Sequence, residues 1–104
     1  MLARTRIMAL LLAGPASAVC LENGTDQRLY GTAESDGEAS RMTGWLDPGQ
    51  SLCSGPADTA GTVGIFDDPR AFEGCSRRVP NAAGPARLLD FARFDRCRWA
   101  EEAG

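Results

Sequence analysis

The chain contains no histidine and no lysine, and all 11 of its basic residues are arginine. Histidine acid–base catalysis, lysine Schiff-base chemistry and histidine metal ligation are therefore closed to this chain acting alone. Closely spaced cysteine pairs are missing too. The four cysteines stand at positions 20, 53, 75 and 97, with gaps of 33, 22 and 22 and no C-x-x-C. Structural zinc sites and thiol–disulfide catalysts draw on such close pairs, so neither class is expected. Positive charge is also in short supply, with 11 basic residues against 14 acidic ones. That balance argues against nonspecific nucleic-acid binding, which depends on displacing phosphate counterions, and against docking on anionic lipid.

Long hydrophobic runs are lacking as well. Ile7 to Ala13 (IMALLLA) is 7 residues long, whereas a membrane-spanning helix needs roughly 20. Arg4 and Arg6 precede that run and Ala16-Ser17-Ala18 follows it, which together make a secretory signal peptide over residues 1–18, cleaved between Ala18 and Val19. A lipoprotein signal would place a small residue before Cys20, where Val19 stands. Removing 18 of the 104 residues leaves a single domain of 86, residues 19–104, with a net charge of −5 once the two leader arginines are subtracted from −3. No transmembrane anchor is expected after cleavage.

An exported chain with an even number of cysteines reads as a periplasmic or secreted domain with two structural disulfides, formed by Cys20, Cys53, Cys75 and Cys97. Four cysteines allow three pairings. Loop-closure entropy separates them little, at roughly 3 kcal/mol for a 23-residue loop and 4.5 for a 78-residue one. The nested arrangement, Cys20–Cys97 with Cys53–Cys75, is preferred because the termini of small domains often lie close together. Such staples matter in a chain this short, which buries only about 60 to 65 percent of its unfolded surface.

The segments between turn signals are short, as in an all-β, mainly antiparallel domain. Strands are expected over Val19–Glu22, Gln27–Ala33, Arg41–Leu46, Thr62–Phe66 and Phe94–Trp99, while Ser51–Cys53 begins a further element and Gly74–Val79 carries Cys75 and Arg77-Arg78 into Pro80. Turns fall at Asn23-Gly24-Thr25-Asp26 and Asp47-Pro48-Gly49. Glu34–Ala39 reads as a polar linker, Ser54–Gly61 and Asn81–Pro85 as loops, and Arg87–Ala92 as a short helical turn or irregular entry. Gly64, inside a strand, signals a bulge or a close backbone approach. The expected core is Leu21, Leu29, Tyr30, Met42, Trp45, Leu46, Leu52, Val63, Ile65, Phe66, Phe72, Leu89, Phe91, Phe94 and Trp99. Five or six such strands make a disulfide-stapled sandwich or open barrel.

With Cys20, Asn23 and Thr25 at its start, then Trp45, Pro48-Gly49 and Cys53, and with Glu73-Gly74-Cys75-Ser76-Arg77 and Phe94-Asp95-Arg96-Cys97-Arg98-Trp99 further on, the mature chain resembles small exported bacterial proteins with four cysteines and no known activity. The resemblance implies a compact β domain and brings no catalytic residues.

No catalytic, cofactor-binding or metal-binding residue is nominated. Asp36, Glu38, Asp67 and Asp68 lie near turns but lack the ordered ligand ladder of a calcium loop. Asn23-Gly24-Thr25 matches a glycosylation acceptor, and turn formation explains it equally well. Glu34, Asp36 and Glu38, the Asp67-Asp68 pair, and Arg93, Arg96 and Arg98 read as solvated surface. The function expected is a noncatalytic module that binds a protein or a cell-envelope component, displaying loops such as Ser54–Gly61 from a rigid scaffold. The alternative is a small hydrolase that works through paired carboxylates.

Overall fold

The computed structural model describes residues 18–37, 41–55, 60–80 and 84–100. The expected leader, apart from Ala18, and residues 56–59 of the expected display loop fall outside that set. Eight strands are present: β1 (Cys20–Asn23), β2 (Leu29–Ser35), β3 (Arg41–Leu46), β4 (Ser51–Cys53), β5 (Gly61–Phe66), β6 (Cys75–Val79), β7 (Ala86–Asp90) and β8 (Arg98–Trp99), with no helix among the described residues. They form two four-stranded sheets, ordered β4-β1-β7-β8 and β3-β2-β5-β6. Neighbouring strands are antiparallel except β1 and β7, which run parallel. The all-β sandwich expected from the sequence is the observed architecture, with more strands than the five or six anticipated.

Period-two alternation places the core. Along β2, Leu29, Gly31, Ala33 and Ser35 face inward while Tyr30, Thr32 and Glu34 face out. In β5, Val63 and Ile65 face inward. Leu21, Leu29, Val63, Ile65 and Leu88 are at most 1% exposed. Cutting any of these leucines or the isoleucine back to alanine costs about 2–5 kcal/mol, a large share of what so small a domain has to lose.

Four expectations change. The strand expected over Phe94–Trp99 shrinks to β8, because Phe94 and Asp95 lie in a turn with positive φ. Arg87–Ala92 is not a helical turn, because Ala86–Asp90 is strand β7, held between β1 and β8. Its alanine, leucines and arginine favour a helix locally, and ladder bonds to two neighbouring strands override that preference. Glu34 and Ser35 belong to β2 rather than to a linker, and Ser35 is buried. Among the aromatics expected in the core, Trp45, Phe72 and Phe94 are exposed, as is Met42, whereas Phe91 and Trp99 pack against the core's rim.

The nested disulfide pairing is also corrected. The bonds are Cys20–Cys53 and Cys75–Cys97, with no free cysteine. Strand register decides the first: β4 returns antiparallel to β1 and sets Cys53 directly opposite Cys20, with Cα atoms 4.0 Å apart. Strand order decides the second. Strand β7 lies between β1 and β8, so Cys97, just before β8, is carried away from Cys20. It meets Cys75 at the head of β6, the edge strand of the other sheet, with Cα atoms 6.1 Å apart. The first bond thus staples strands within one sheet and the second joins the two sheets.

Asn23 joins two turns at the end of β1 away from Cys20. Its side chain is fully buried. Nδ2 donates to the carbonyls of Gln27 and Leu46 at 2.8 and 3.0 Å, and Oδ1 accepts from the Thr25 N–H and hydroxyl at 3.0 and 2.7 Å. Two donors and two lone pairs exhaust what an amide can offer. The Asn-x-Thr motif therefore does the work of a turn, as the sequence permits. The Asp47-Pro48-Gly49 turn docks on the same residue, with Gly49 at φ +86° donating its N–H to the Asn23 carbonyl.

Candidate functional site

The outer face of the β3-β2-β5-β6 sheet carries a row of aromatics. Tyr30 lies opposite Trp45 on one side and Phe66 on the other. Tyr30 and Trp45 meet edge to face with ring centroids 5.5 Å apart, and the Arg28 guanidinium covers the Trp45 ring at 4.7 Å. Arg28 also pairs with Asp47 at 3.2 Å. At this end of the row the rings are thus already partnered.

At the Phe66 end the surface is differently built. Two glycines make room for its ring. A Cβ on Gly74 would run into the Ile65 carbonyl oxygen and the Phe66 ring, and one on Gly64 would lie 2.8 Å from the Thr32 hydroxyl and 3.2 Å from the Phe66 ring. Gly64 therefore marks a close approach, one of the two meanings its place in a strand allowed. The β5–β6 loop then brings Phe72 to the surface at 93% exposure. Between Phe66 and Phe72 opens a cleft of about 330 Å³, also lined by Gly74, Cys75, Ser76 and Asp95. On the other side of Phe72 is a shallow hollow bordered by Asp67, Asp68, Arg70, Glu73 and Arg93.

The loop that carries Phe72 is tied to the β7–β8 turn. Arg93 donates two hydrogen bonds to one Asp67 carboxylate oxygen, at 3.0 and 2.9 Å. The Asp95 N–H donates to the Gly74 carbonyl at 2.8 Å, and the Ser76 N–H donates to the Asp95 carboxylate at 3.1 Å. The Cys75–Cys97 disulfide lies beside these contacts, and the Cys97 N–H donates to the Cys75 sulfur at 3.2 Å. Within the turn, Phe94 and Asp95 adopt φ values of +62° and +59°. Aspartate tolerates the left-handed region, whereas a residue as bulky as phenylalanine enters it only when its surroundings impose it. Here the cross-ties do so, and the Phe94 ring is left 68% exposed.

The residues singled out in the sequence are distributed otherwise. Val19 is buried, and its N–H donates to the Ser54 hydroxyl at 3.2 Å. Cys20 is engaged with Cys53, so its sulfur is not free to carry a lipid in this form. Asp36 pairs with Arg78, and Asp68 accepts the Arg70 N–H. Of the terminal arginines, Arg93 and Arg98 each pair with a carboxylate, Asp67 and Asp90. Among the described residues, no three His, Cys, Asp or Glu side chains gather to hold a metal ion, and no helix is long and apolar enough to cross a membrane. The exposed rings of Phe72 and Phe94, like Trp45 elsewhere on the surface, were placed in the core by sequence reasoning. Their neighbours carried the signal: Phe72 sits in a run of Asp, Pro, Arg and Glu, and Phe94 between Arg93 and Asp95, where no apolar alternation leads inward.

Searches against protein-family models, curated proteins and solved structures gave no match to this chain.

Proposed function

We infer that this protein is an exported, noncatalytic binding module of the periplasm or the extracellular space, akin to the four-cysteine exported proteins it resembles, acting after its leader is removed between Ala18 and Val19. The observation that carries the reading is the pair of exposed rings, Phe72 and Phe94, on two segments joined by a disulfide, a backbone hydrogen bond, a backbone-to-carboxylate hydrogen bond and an ion pair. Exposed aromatics on a rigid support are the usual anchors of protein interfaces. They bury much area on docking and, when pre-ordered, lose little freedom. The two disulfides fit an oxidising compartment.

Site-specific photocrosslinking in cells exporting the protein tests this reading. A benzophenone side chain at position 72 should yield a discrete crosslinked species, and the same group at exposed Thr43, on the outer face of β3, should not. If position 72 captures nothing beyond the Thr43 control, this end of the molecule is not a binding surface.

A further inference from the structure

We propose that the cleft between Phe66 and Phe72 receives an arginine side chain of a protein partner, with its guanidinium stacked against the rings and its charge met by the Asp95 carboxylate. This rests on the reading of that end as a binding surface and specifies what it recognises. The cleft combines the elements that guanidinium recognition requires. Two aromatic walls offer π faces, which attract cations. Gly64 and Gly74 keep the space around Phe66 free of side chains, so that its ring can lie close to the sheet. Asp95, exposed and held in place by the Ser76 N–H through one carboxylate oxygen, stands in the cleft wall with its other oxygen unclaimed.

Charge favours a cation. The hollows on the two sides of Phe72 carry the carboxylates of Asp67, Asp68, Glu73 and Asp95 against two arginines, Arg70 and Arg93. Arg93 is already committed to Asp67. Arg96 follows Asp95 on the turn but borders neither hollow. Shape favours arginine over lysine, because a planar, weakly hydrated guanidinium stacks on a ring where a compact ammonium ion does not. The chain makes the same contact internally, with Arg28 over Trp45 at 4.7 Å and Arg77 over Trp99 at 5.7 Å. Among the described residues, Phe66 and Phe72 have no such partner. At about 330 Å³ the cleft lies at the bottom of the range for small-molecule pockets, roughly 300–1,000 Å³, a size suited to one side chain.

The test is amide chemical-shift titration of the oxidised, leader-free protein with a blocked Gly-Arg-Gly peptide, its citrulline counterpart and phosphocholine. Citrulline keeps the planar shape and removes the charge. The arginine peptide should shift the Phe72, Gly74, Ser76 and Asp95 amides saturably, and citrulline should not. Phe72→Ala removes a ring that is 93% exposed and should weaken binding about two- to fivefold. Asp95→Asn keeps the acceptor for the Ser76 N–H and tolerates the positive φ, and should weaken it about two- to fivefold. Equal response to citrulline, unchanged affinity in both variants, or a stronger response to phosphocholine would overturn the assignment. If the arginine peptide fails while a crosslinker at position 72 still captures a partner, the cation assignment falls and the binding surface stands.

Discussion

The backbone N–H of Ser76 donates to the Asp95 carboxylate at 3.1 Å, tying the start of β6 to a turn 19 positions further along the chain. Asp95 also donates its own N–H to the Gly74 carbonyl, so one residue secures the cleft floor from both its side chain and its backbone. Asp95→Ala should cost about 1–2 kcal/mol, from one lost hydrogen bond and from placing a residue less tolerant of the left-handed region there. Asp95→Asn should stay near the wild type. Urea unfolding of the two variants side by side reads the difference, and equal stability would show that the tie is dispensable.

The glycines offer a paired comparison. Gly74→Ala forces a methyl group into the Ile65 carbonyl and the Phe66 ring, whereas nothing lies within 4 Å of a Cβ on Gly44. The first should destabilise by about 1–3 kcal/mol. The second should be neutral or stabilising by up to about 1 kcal/mol, because alanine has less freedom than glycine to lose on folding. Thermal melts of both variants check the contrast.

Asn23 is expected to tolerate no substitution easily. Asn23→Ala strands the buried Leu46 carbonyl and removes the partners of the partly exposed Thr25 N–H and of the Gln27 carbonyl, which keeps the Thr25 hydroxyl at 3.3 Å, and should cost about 2–3 kcal/mol, mostly from the one buried unpaired group. Thr25→Ala, at a half-buried hydroxyl, should cost about 1 kcal/mol. The motif should carry no glycan on the folded protein, because the Asn23 amide is fully buried. Intact mass checks that directly.

Non-reducing peptide mapping should recover Cys20 linked to Cys53 and Cys75 linked to Cys97. Replacing both Cys75 and Cys97 by serine opens a loop of about 22 residues and should lower stability by roughly 3 kcal/mol. It should also raise hydrogen exchange at the Ser76 and Asp95 amides before it does so in β2 and β5. Uniform exchange across both sheets would mean that the bond does not govern this end locally.

Acid should release the Asp36–Arg78 pair. The hydrogen bond from Arg78 is the main reason the Asp36 carboxyl sits below its ordinary value, with desolvation opposing and the Arg78 charge reinforcing the shift. A carboxyl depressed in the folded state contributes stability above its unfolded pKa and loses it as pH falls through the folded value. Asp36→Asn should therefore melt slightly below the wild type near neutral pH, and the gap should close in acid below the ordinary aspartate range. The effect is small because both side chains are about half exposed. A gap that persists unchanged in strong acid would assign Asp36 some role other than this pair.

Fold class was legible because strand alternation and turn chemistry are local. Leu29 to Ala33 alternates, Asp47-Pro48-Gly49 turns, and Val63 and Ile65 sit where period two places them. Disulfide pairing was not legible, since it follows from strand order, and the parallel insertion of β7 beside β1 is a long-range choice that no local signal marks. Helix-favouring Ala86–Asp90 becomes a strand for the same reason. The cleft beside Phe66 and Phe72 was hidden by composition. Phenylalanine reads as core by default, and the polar run around Phe72 is the local sign that its ring, 93% exposed, faces outward.

The two disulfides close separate, successive stretches of the chain, residues 20–53 and then 75–97. A chain that emerges N-terminus first can complete the first bond before either partner of the second has appeared, so no cysteine has to wait unpaired while a competitor passes. Pairing each cysteine with the next one along the chain would then give the native bonds without reshuffling.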